Sequence, residues 1–263
     1  MSIKTAIAWT DHTFNPWWGC VKIDPGCAHC YAETFSKRIG KSLWGPHSER
    51  RIFGDKHWAE PLAWNATSGN AILAADTPII DGCRGPLQKH LVFSGSMCDW
   101  AEDHPTAAEL RPRLFDLIRS TPWLDWQLLT KRADRIAGCL PSDWGAGYPN
   151  VWLGVSVSEP KGLWRVECLA AIPAAVHFLS YEPALENIAD APHLTRLLDW
   201  IIFGGESGPG YRKPAGWEKW ALKLRDRARA DGTAFFFKQS PAPRTEMGTT
   251  LEGQTIREFP KPR

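Results

Sequence analysis

The 263-residue sequence has no run of the roughly 18 apolar residues that a helix needs to cross a bilayer core. It shows no basic-then-apolar leader at its start. The expectation is therefore a cytoplasmic protein with no membrane partner. An excess of charge of one sign is also missing: 31 Lys and Arg stand against 29 Asp and Glu, for a net charge of +2. That excludes a global polyelectrolyte, so nucleic-acid contact would have to come from a local patch. The cysteines do not form a secreted disulfide framework, because there are seven, an odd number, and three cluster together. No internal repeat and no linker divides the chain. The reading is one domain over 1–263, with an inserted loop region at 41–88 and a C-terminal tail at 240–263. Hydrophobic residues at 43% are ample for a core, and 15 of them are tryptophans.

The stretch that carries chemistry is Gly19-Cys20-Val21-Lys22-Ile23-Asp24-Pro25-Gly26-Cys27-Ala28-His29-Cys30, with cysteines spaced C-x6-C-x2-C. Cys27 and Cys30 are close enough for one turn of chain to aim both sulfurs at one point. Pro25-Gly26 favours a tight turn before them. Three convergent thiolates suit a soft metal, either Zn or an iron–sulfur cluster. Closed structural sites take four ligands, so three cysteines on a four-iron cluster would leave one iron open. The competing readings are a zinc knuckle completed by His29 or a distant Cys or His, and three unrelated buried thiols. Trp17-Trp18, just before Gly19, could wall the site off from water.

The spacing predicts a first strand over 5–10 and a helix over 31–39, with Tyr31, Phe35 and Ile39 on one face. The cysteine loop then joins that strand to that helix. Residues 41–88 read as a functional or disordered insertion with one short helix near 56–66, interrupted at Pro61. Arg50, Arg51, Lys56, His57 and Arg84 give it positive charge. Short, nearly continuous apolar runs at 89–95, 125–130, 150–157, 175–181, 199–205 and 233–238 read as buried parallel strands. Helical segments are expected near 106–120, 131–140, 160–171, 190–198 and 215–230. Alternation of this kind implies an α/β fold, a partial (β/α)6-type barrel of parallel strands.

Ligands of such folds sit at the C-terminal strand ends. The cysteine loop lies there, and so do Gly95, Ser96, Cys98 and Asp99, Lys131 and Arg132, Ser156, Ser158 and Glu159, Glu182, Gly204-Gly205-Glu206, and Lys238-Gln239. Glu182 and Lys238 could be catalytic or a simple buried ion pair. The Gly-Gly-Glu could cradle a ligand or form a plain turn. Cys83, Cys139 and Cys168 read as structural. Two basic runs, Arg111/Arg113/Arg119/Lys131/Arg132/Arg135 and Arg212/Lys213/Lys219/Lys223/Arg225/Arg227/Arg229, read first as solvated helix faces. A phosphate track for DNA or RNA is the alternative.

The motifs Trp9-Thr10-Asp11, Asn15-Pro16, Gly19-Cys20, Pro25-Gly26-Cys27-Ala28-His29-Cys30-Tyr31-Ala32-Glu33, Leu128-Leu129-Thr130-Lys131-Arg132, Phe178-Leu179-Ser180-Tyr181-Glu182-Pro183 and Phe236-Phe237-Lys238-Gln239 resemble a phage-associated three-Cys-motif family of undetermined function. That family is similar to radical S-adenosylmethionine (SAM) enzymes. The resemblance implies a [4Fe-4S] cluster on Cys20, Cys27 and Cys30, whose open iron binds SAM. Two features depart from the commonest pattern. The first cysteine interval is three residues longer, and the Gly-Gly-Glu follows the sixth strand of the barrel rather than the second.

By this resemblance Tyr31 would pack on the cluster, and Gly95 and Ser96 would admit the methionine part of SAM. Ser156, Ser158 or Glu159 would hold the ribose. Gly204, Gly205 and Glu206 would cradle SAM or the substrate. Cys98 would be a hydrogen-atom donor, a fourth ligand, or an inert core thiol, the last being the commonest fate of a lone cysteine. The expected partners are SAM, an external electron donor and an unknown substrate for which DNA or RNA is a candidate. The rival class is a non-catalytic nucleic-acid-binding protein with a structural Zn or Fe–S site.

Overall fold

The computed structural model describes residues 5–73 and 88–261. Seven strands form one parallel sheet: β1 (His12–Phe14), β4 (His90–Ser94), β5 (Leu124–Thr130), β6 (Val151–Ser156), β7 (Val176–Tyr181), β8 (Trp200–Gly204) and β9 (Ala234–Gln239). They lie side by side in that order and curl into a half-barrel whose edge strands are β1 and β9. A separate ribbon pairs β2 (Trp17–Trp18) with β3 (Arg51–Ile52), antiparallel. The helices are α1 (Tyr31–Arg38), α2 (Asp55–Trp58), α3 (Glu60–Leu73), α4 (Pro105–Arg119), α5 (Ile136–Cys139), α6 (Trp164–Ala170) and α7 (Trp217–Asp231).

Six of the seven expected strands fall where the apolar runs place them. The first does not. Residues 5–10 are irregular, and β1 is His12–Phe14, paired with Val92–Ser94 of β4. The 5–10 run is apolar because Trp9, with partly buried Ile7 and Ala8 beside it, packs on the inner face of the half-barrel. Trp9 is 2% exposed and packs on Phe93, Phe178 and Trp200. The helix expected over 190–198 is reduced to a single 3-10 turn, Thr195–Leu197. Pro192 and the left-handed His193 (φ 58°) interrupt any longer helix there. The break expected at Pro61 falls two residues earlier, at Ala59, because proline is tolerated in the first turn of α3.

The two sheet faces have separate cores. The helix side buries Leu114, Phe115 and Ile118 of α4, Val166 and Leu169 of α6, and Ala221, Leu224 and Ala228 of α7 against alternate strand residues. The other face packs Trp9, Leu91, Phe93, Trp152, Phe178, Trp200, Ile202 and Phe236 against one another. Burial on both faces explains why the strands read as continuous hydrophobic runs. Gly154 makes this inner packing possible, since a Cβ there would overlap the Phe178 ring.

Parts of the chain expected to be loose are tied in. Arg50 is buried and pairs with buried Glu102 at 2.9 Å. The Ser68 hydroxyl of α3 donates to Trp123 O at 2.7 Å. Past β9, Phe237 N donates to Ile256 O and Glu258 N donates to Phe235 O, so the C-terminal segment covers the β9 edge. Cys83 and Arg84 lie outside the described residues. Among the described residues no helix is long and apolar enough to cross a membrane.

Candidate metal and ligand site

A cavity of about 400 Å³ opens at the C-terminal ends of the strands. Cys20, Cys27 and Cys30 line it, together with Tyr31, Gly95, Ser96, Cys98, Ser156, Glu182, Gly205, Glu206 and Lys238. Twelve candidates read from the sequence thus meet around one space. Its floor is apolar, made by Ile7, Trp9, Phe93 and Leu129.

The loop that carries three cysteines within eleven residues is held by Arg132, Arg165 and Arg212, from three different parts of the chain. Cys20 follows Gly19, whose φ of +121° and close approach to Leu43 O and Arg50 Cδ (2.5 and 2.6 Å to a Cβ built there) leave room for glycine only. From the end of β5, Arg132 reaches the loop. Its Nη2 donates to Val21 O at 2.9 Å, and its Nη1 lies 3.8 Å from Cys20 Sγ and donates to Asp99 at 2.7 Å. Asp99 also accepts from the Thr130 hydroxyl at 2.6 Å and from Lys131 N at 3.1 Å. Cys27 ends the 3-10 turn Pro25–Cys27, and its thiol lies 3.5 Å from Asp24 Oδ1. The other Asp24 oxygen accepts from Arg165 of α6 at 2.6 Å. Cys30 is the N-cap of α1. Beside it, His29 Nδ1 meets Glu206 at 3.1 Å. Glu206 is also held by the Arg212 backbone N–H and guanidinium, and Arg212 Nη2 donates to Pro25 O at 3.1 Å.

The electrostatics follow from burial. The Cys20 thiol is pushed up to about 12, first by burial and then by the negative charge of Asp99. Burial raises Cys30 as well, against the pull of the Ala32 and Glu33 backbone N–H groups at the start of α1. Cys98 is raised well above its ordinary value, chiefly by burial. Burial alone would raise the carboxyls of Asp24 and Glu206. For Asp24, Lys131 and Arg165 outweigh it, and for Glu206 the hydrogen bonds from Arg212 do. Both stay below the usual carboxylate range.

Glu182 and Lys238 form an ion pair at 2.8 Å on the cavity wall. Lys131 also faces the cavity, and its ammonium donates to the Ser156 hydroxyl. Tyr31 donates to Ser96 O at 2.6 Å, and Asn15 Nδ2 to the Ser96 hydroxyl at 2.8 Å, so the β1 and β4 ends are stitched together beside the cysteines.

Three expected contact residues are not on the cavity wall. Gly204 instead makes space for Glu182, since a Cβ there would meet that carboxyl group. Ser158 is buried under Gly26, and its hydroxyl has no partner among the described residues. Glu159 lines a separate shallow surface pocket with Pro25 and Arg212. The ribose role read for Ser158 and Glu159 therefore does not fit their positions. The basic runs are largely consumed by internal pairing: Arg113 with Asp55, Arg119 with Asp116 and Asp143, Arg132 with Asp99, Lys223 with Asp190, and Arg227 with the carbonyls of Ala189 and Ala191. Sequence reasoning missed the clamps at Asp24, Arg165 and Arg212 and the inward role of Arg132. Arg165–Asp24 and Arg132–Asp99 are ion pairs between residues far apart in the chain, and Arg212, paired locally with Glu206, reaches across to the distant Pro25 carbonyl.

Among the described residues, no group of three or more His, Cys, Asp or Glu side chains is gathered tightly enough to hold one metal ion. The three thiols share a cavity wall rather than a point. A family model described as "Protein of unknown function (DUF5131)" matches residues 4–260, and the chain belongs to that family. No curated protein matches the chain, and no solved structure does.

Proposed function

We propose that this member of an uncharacterised family is a radical SAM-type enzyme, in which Cys20, Cys27 and Cys30 hold a [4Fe-4S] cluster with one iron free for SAM. The observation that carries the reading is the shared cavity. Three cysteines from one loop, and polar groups from β4, β6, β7, β8 and β9, face the same space at the C-terminal end of a parallel half-barrel. Its volume lies in the range of ~300–1,000 Å³ that small-molecule sites occupy. The sequence resemblance to radical SAM enzymes points the same way.

The donor set fits a cluster better than a single ion. A tetrahedral zinc, with Zn–S bonds of about 2.3 Å, draws its sulfurs together. A four-iron cluster takes each thiolate on a different iron and tolerates a wider spread. Zinc would also need a fourth ligand. His29, which meets Glu206 through Nδ1 as metal-bound histidines meet carboxylates, and Cys98 both line the same cavity.

When bound, the cluster supplies the single electron that reductively cleaves the sulfonium of SAM. An external donor would have to deliver that electron. The chain's own residues bind, orient and exclude water. Trp9, Phe93 and Leu129 give an apolar floor. Gly95, at φ +107°, lets the backbone after β4 come close to a ligand. Glu182, Lys238, Lys131 and Ser156 offer a carboxylate, two ammonium groups and a hydroxyl to its polar parts. Arg132 steadies the Cys20 segment and offers an N–H toward its sulfur.

The test is EPR of anaerobically reconstituted, dithionite-reduced protein with and without SAM. A [4Fe-4S]⁺ signal whose g-values shift on adding SAM is the expected result. A cluster signal indifferent to SAM would mean a closed or degenerate site, with Cys98 as the candidate fourth thiol. Zinc without iron would favour a structural metal in a non-catalytic, nucleic-acid-binding protein.

A further inference from the structure

The face of α1 that periodicity assigns to the core is not in it. Tyr31 is 60% exposed and Ile39 40% exposed, on the stripe that Tyr31, Phe35 and Ile39 share. The stripe begins at the cavity, which Tyr31 lines, and runs away from it along the helix. Phe35 continues into the β2–β3 ribbon. Its ring centroid is 5.8 Å from that of Trp18, which is 5.5 Å from Phe53, which is 4.4 Å from His57. Phe35, Trp18, Phe53 and His57 are half-buried, and Ile52 beside them is 63% exposed.

Cations are interleaved with these rings. The Arg51 guanidinium lies 4.5 Å from the Trp18 ring centre and 5.2 Å from that of Phe53. Arg38 lies 5.2 Å from the Phe35 ring centre. Arg38, Lys41 and Arg51 are exposed and form no ion pair among the described residues. The nearby Glu33 is already engaged by Lys22 and Lys37 at 2.6 and 2.7 Å. In the basic runs, by contrast, most guanidiniums are spent on internal acids and carbonyls. The unspent arginine charge therefore coincides with exposed aromatic and aliphatic surface beside the cavity.

We infer that the surface made by α1 and the β2–β3 ribbon binds single-stranded nucleic acid and leads it to the cavity mouth. Free cations suit a phosphate backbone, while aromatic faces and guanidinium planes suit unstacked bases. A duplex, whose bases are already stacked, would use only the cations. The surface stands on geometry independent of the cluster.

The test is fluorescence anisotropy of the full chain with fluorescein-labelled DNA and RNA strands of about 20 nucleotides, a length that spans several binding subsites. No cofactor chemistry enters the readout, so its failure and that of the radical reading are separable. The wild type should bind single strands with affinity that falls steeply with salt, and bind them more tightly than the matching duplex. The Arg38→Ala/Arg51→Ala double variant should lose affinity about tenfold or more and flatten the salt slope by roughly 1.4, about 0.7 for each phosphate contact removed from a single strand. A Lys213→Ala/Lys219→Ala control, which removes two exposed cations elsewhere, should change affinity less than about twofold. The DNA and RNA arms show which strand is preferred. The inference is overturned if wild type binds no single strand, if it binds duplex equally well, if both double variants lose the same affinity, or if it binds anionic vesicles or an acidic peptide more tightly than either strand.

Discussion

The inner face of the half-barrel has two ends made from the same strands, and they differ completely. Toward the N-terminal ends the inward residues are Trp152 on β6, Phe178 on β7, Trp200 on β8 and Phe236 on β9. One or two inward positions further along, the same strands present Ser156, Glu182, Gly204 and Lys238. The floor is apolar and mutually packed, with Trp200 at its centre, within 6.2 Å of the rings of Trp9, Trp152, Phe178, Phe236 and Phe259. The mouth is a set of clamps that cross between loops. Parallel strands place all their C-terminal ends together, so one end can be given to packing and the other to chemistry.

The largest contrast should come from two substitutions, one at each end. Cys27→Ala should leave roughly a tenth or less of the reconstituted iron, with little change in the stability of the metal-free chain, because metal loading depends on each thiolate. Trp200→Ala should do the reverse. It should cost ~3–5 kcal/mol in denaturant unfolding while the folded fraction still takes up iron. Unchanged iron in Cys27→Ala would sink the cluster assignment, and iron loss in a folded Trp200→Ala would erase the division between floor and mouth.

Arg132→Met should affect both readouts. It leaves Asp99 buried without its partner, at a cost of ~3–5 kcal/mol, and frees the Cys20 segment. Chelators should then strip iron several-fold faster than from wild type. Lysine should restore the charge pair but not the fork to Val21 O and Cys20, so rescue should be partial. Gly154→Ala is a gentler change within the floor. It overpacks Phe178 and should cost ~1–3 kcal/mol, with iron content unchanged.

The last effect concerns pH. Folding raises the Cys20 thiol from 9.0 to about 12. A raised folded value means that the neutral thiol is favoured by folding. Its stabilisation is therefore complete below pH 9 and is lost as pH rises toward 12. Metal-free wild type should lose stability over that range faster than Cys20→Ala does, as measured by the denaturant midpoint under anaerobic reducing conditions. Equal slopes would show that Cys20 is not desolvated.

Six strands were legible because each is buried on both faces, and burial on both faces leaves a continuous apolar run that needs no tertiary knowledge. The same rule misassigned 5–10, since a segment that plugs a barrel is as apolar as one that builds it. The cysteine spacing and the polar residues at the strand ends point to fifteen residues, and the fold gathers twelve of them around one cavity. Position in sequence could not separate Ser156, which faces that cavity, from Ser158, which lies under Gly26.

The local pattern by itself determined the strand periodicity, the α/β alternation and the thiol cluster, because those are properties of neighbours in the chain. Only the tertiary structure decided that Arg132 turns inward to Asp99, that Arg165 and Arg212 clamp the cysteine loop, and that the Tyr31–Ile39 face stays exposed. Each of these depends on which distant carboxylate, carbonyl or apolar surface the fold brings within a few ångströms, and a one-dimensional pattern does not encode that.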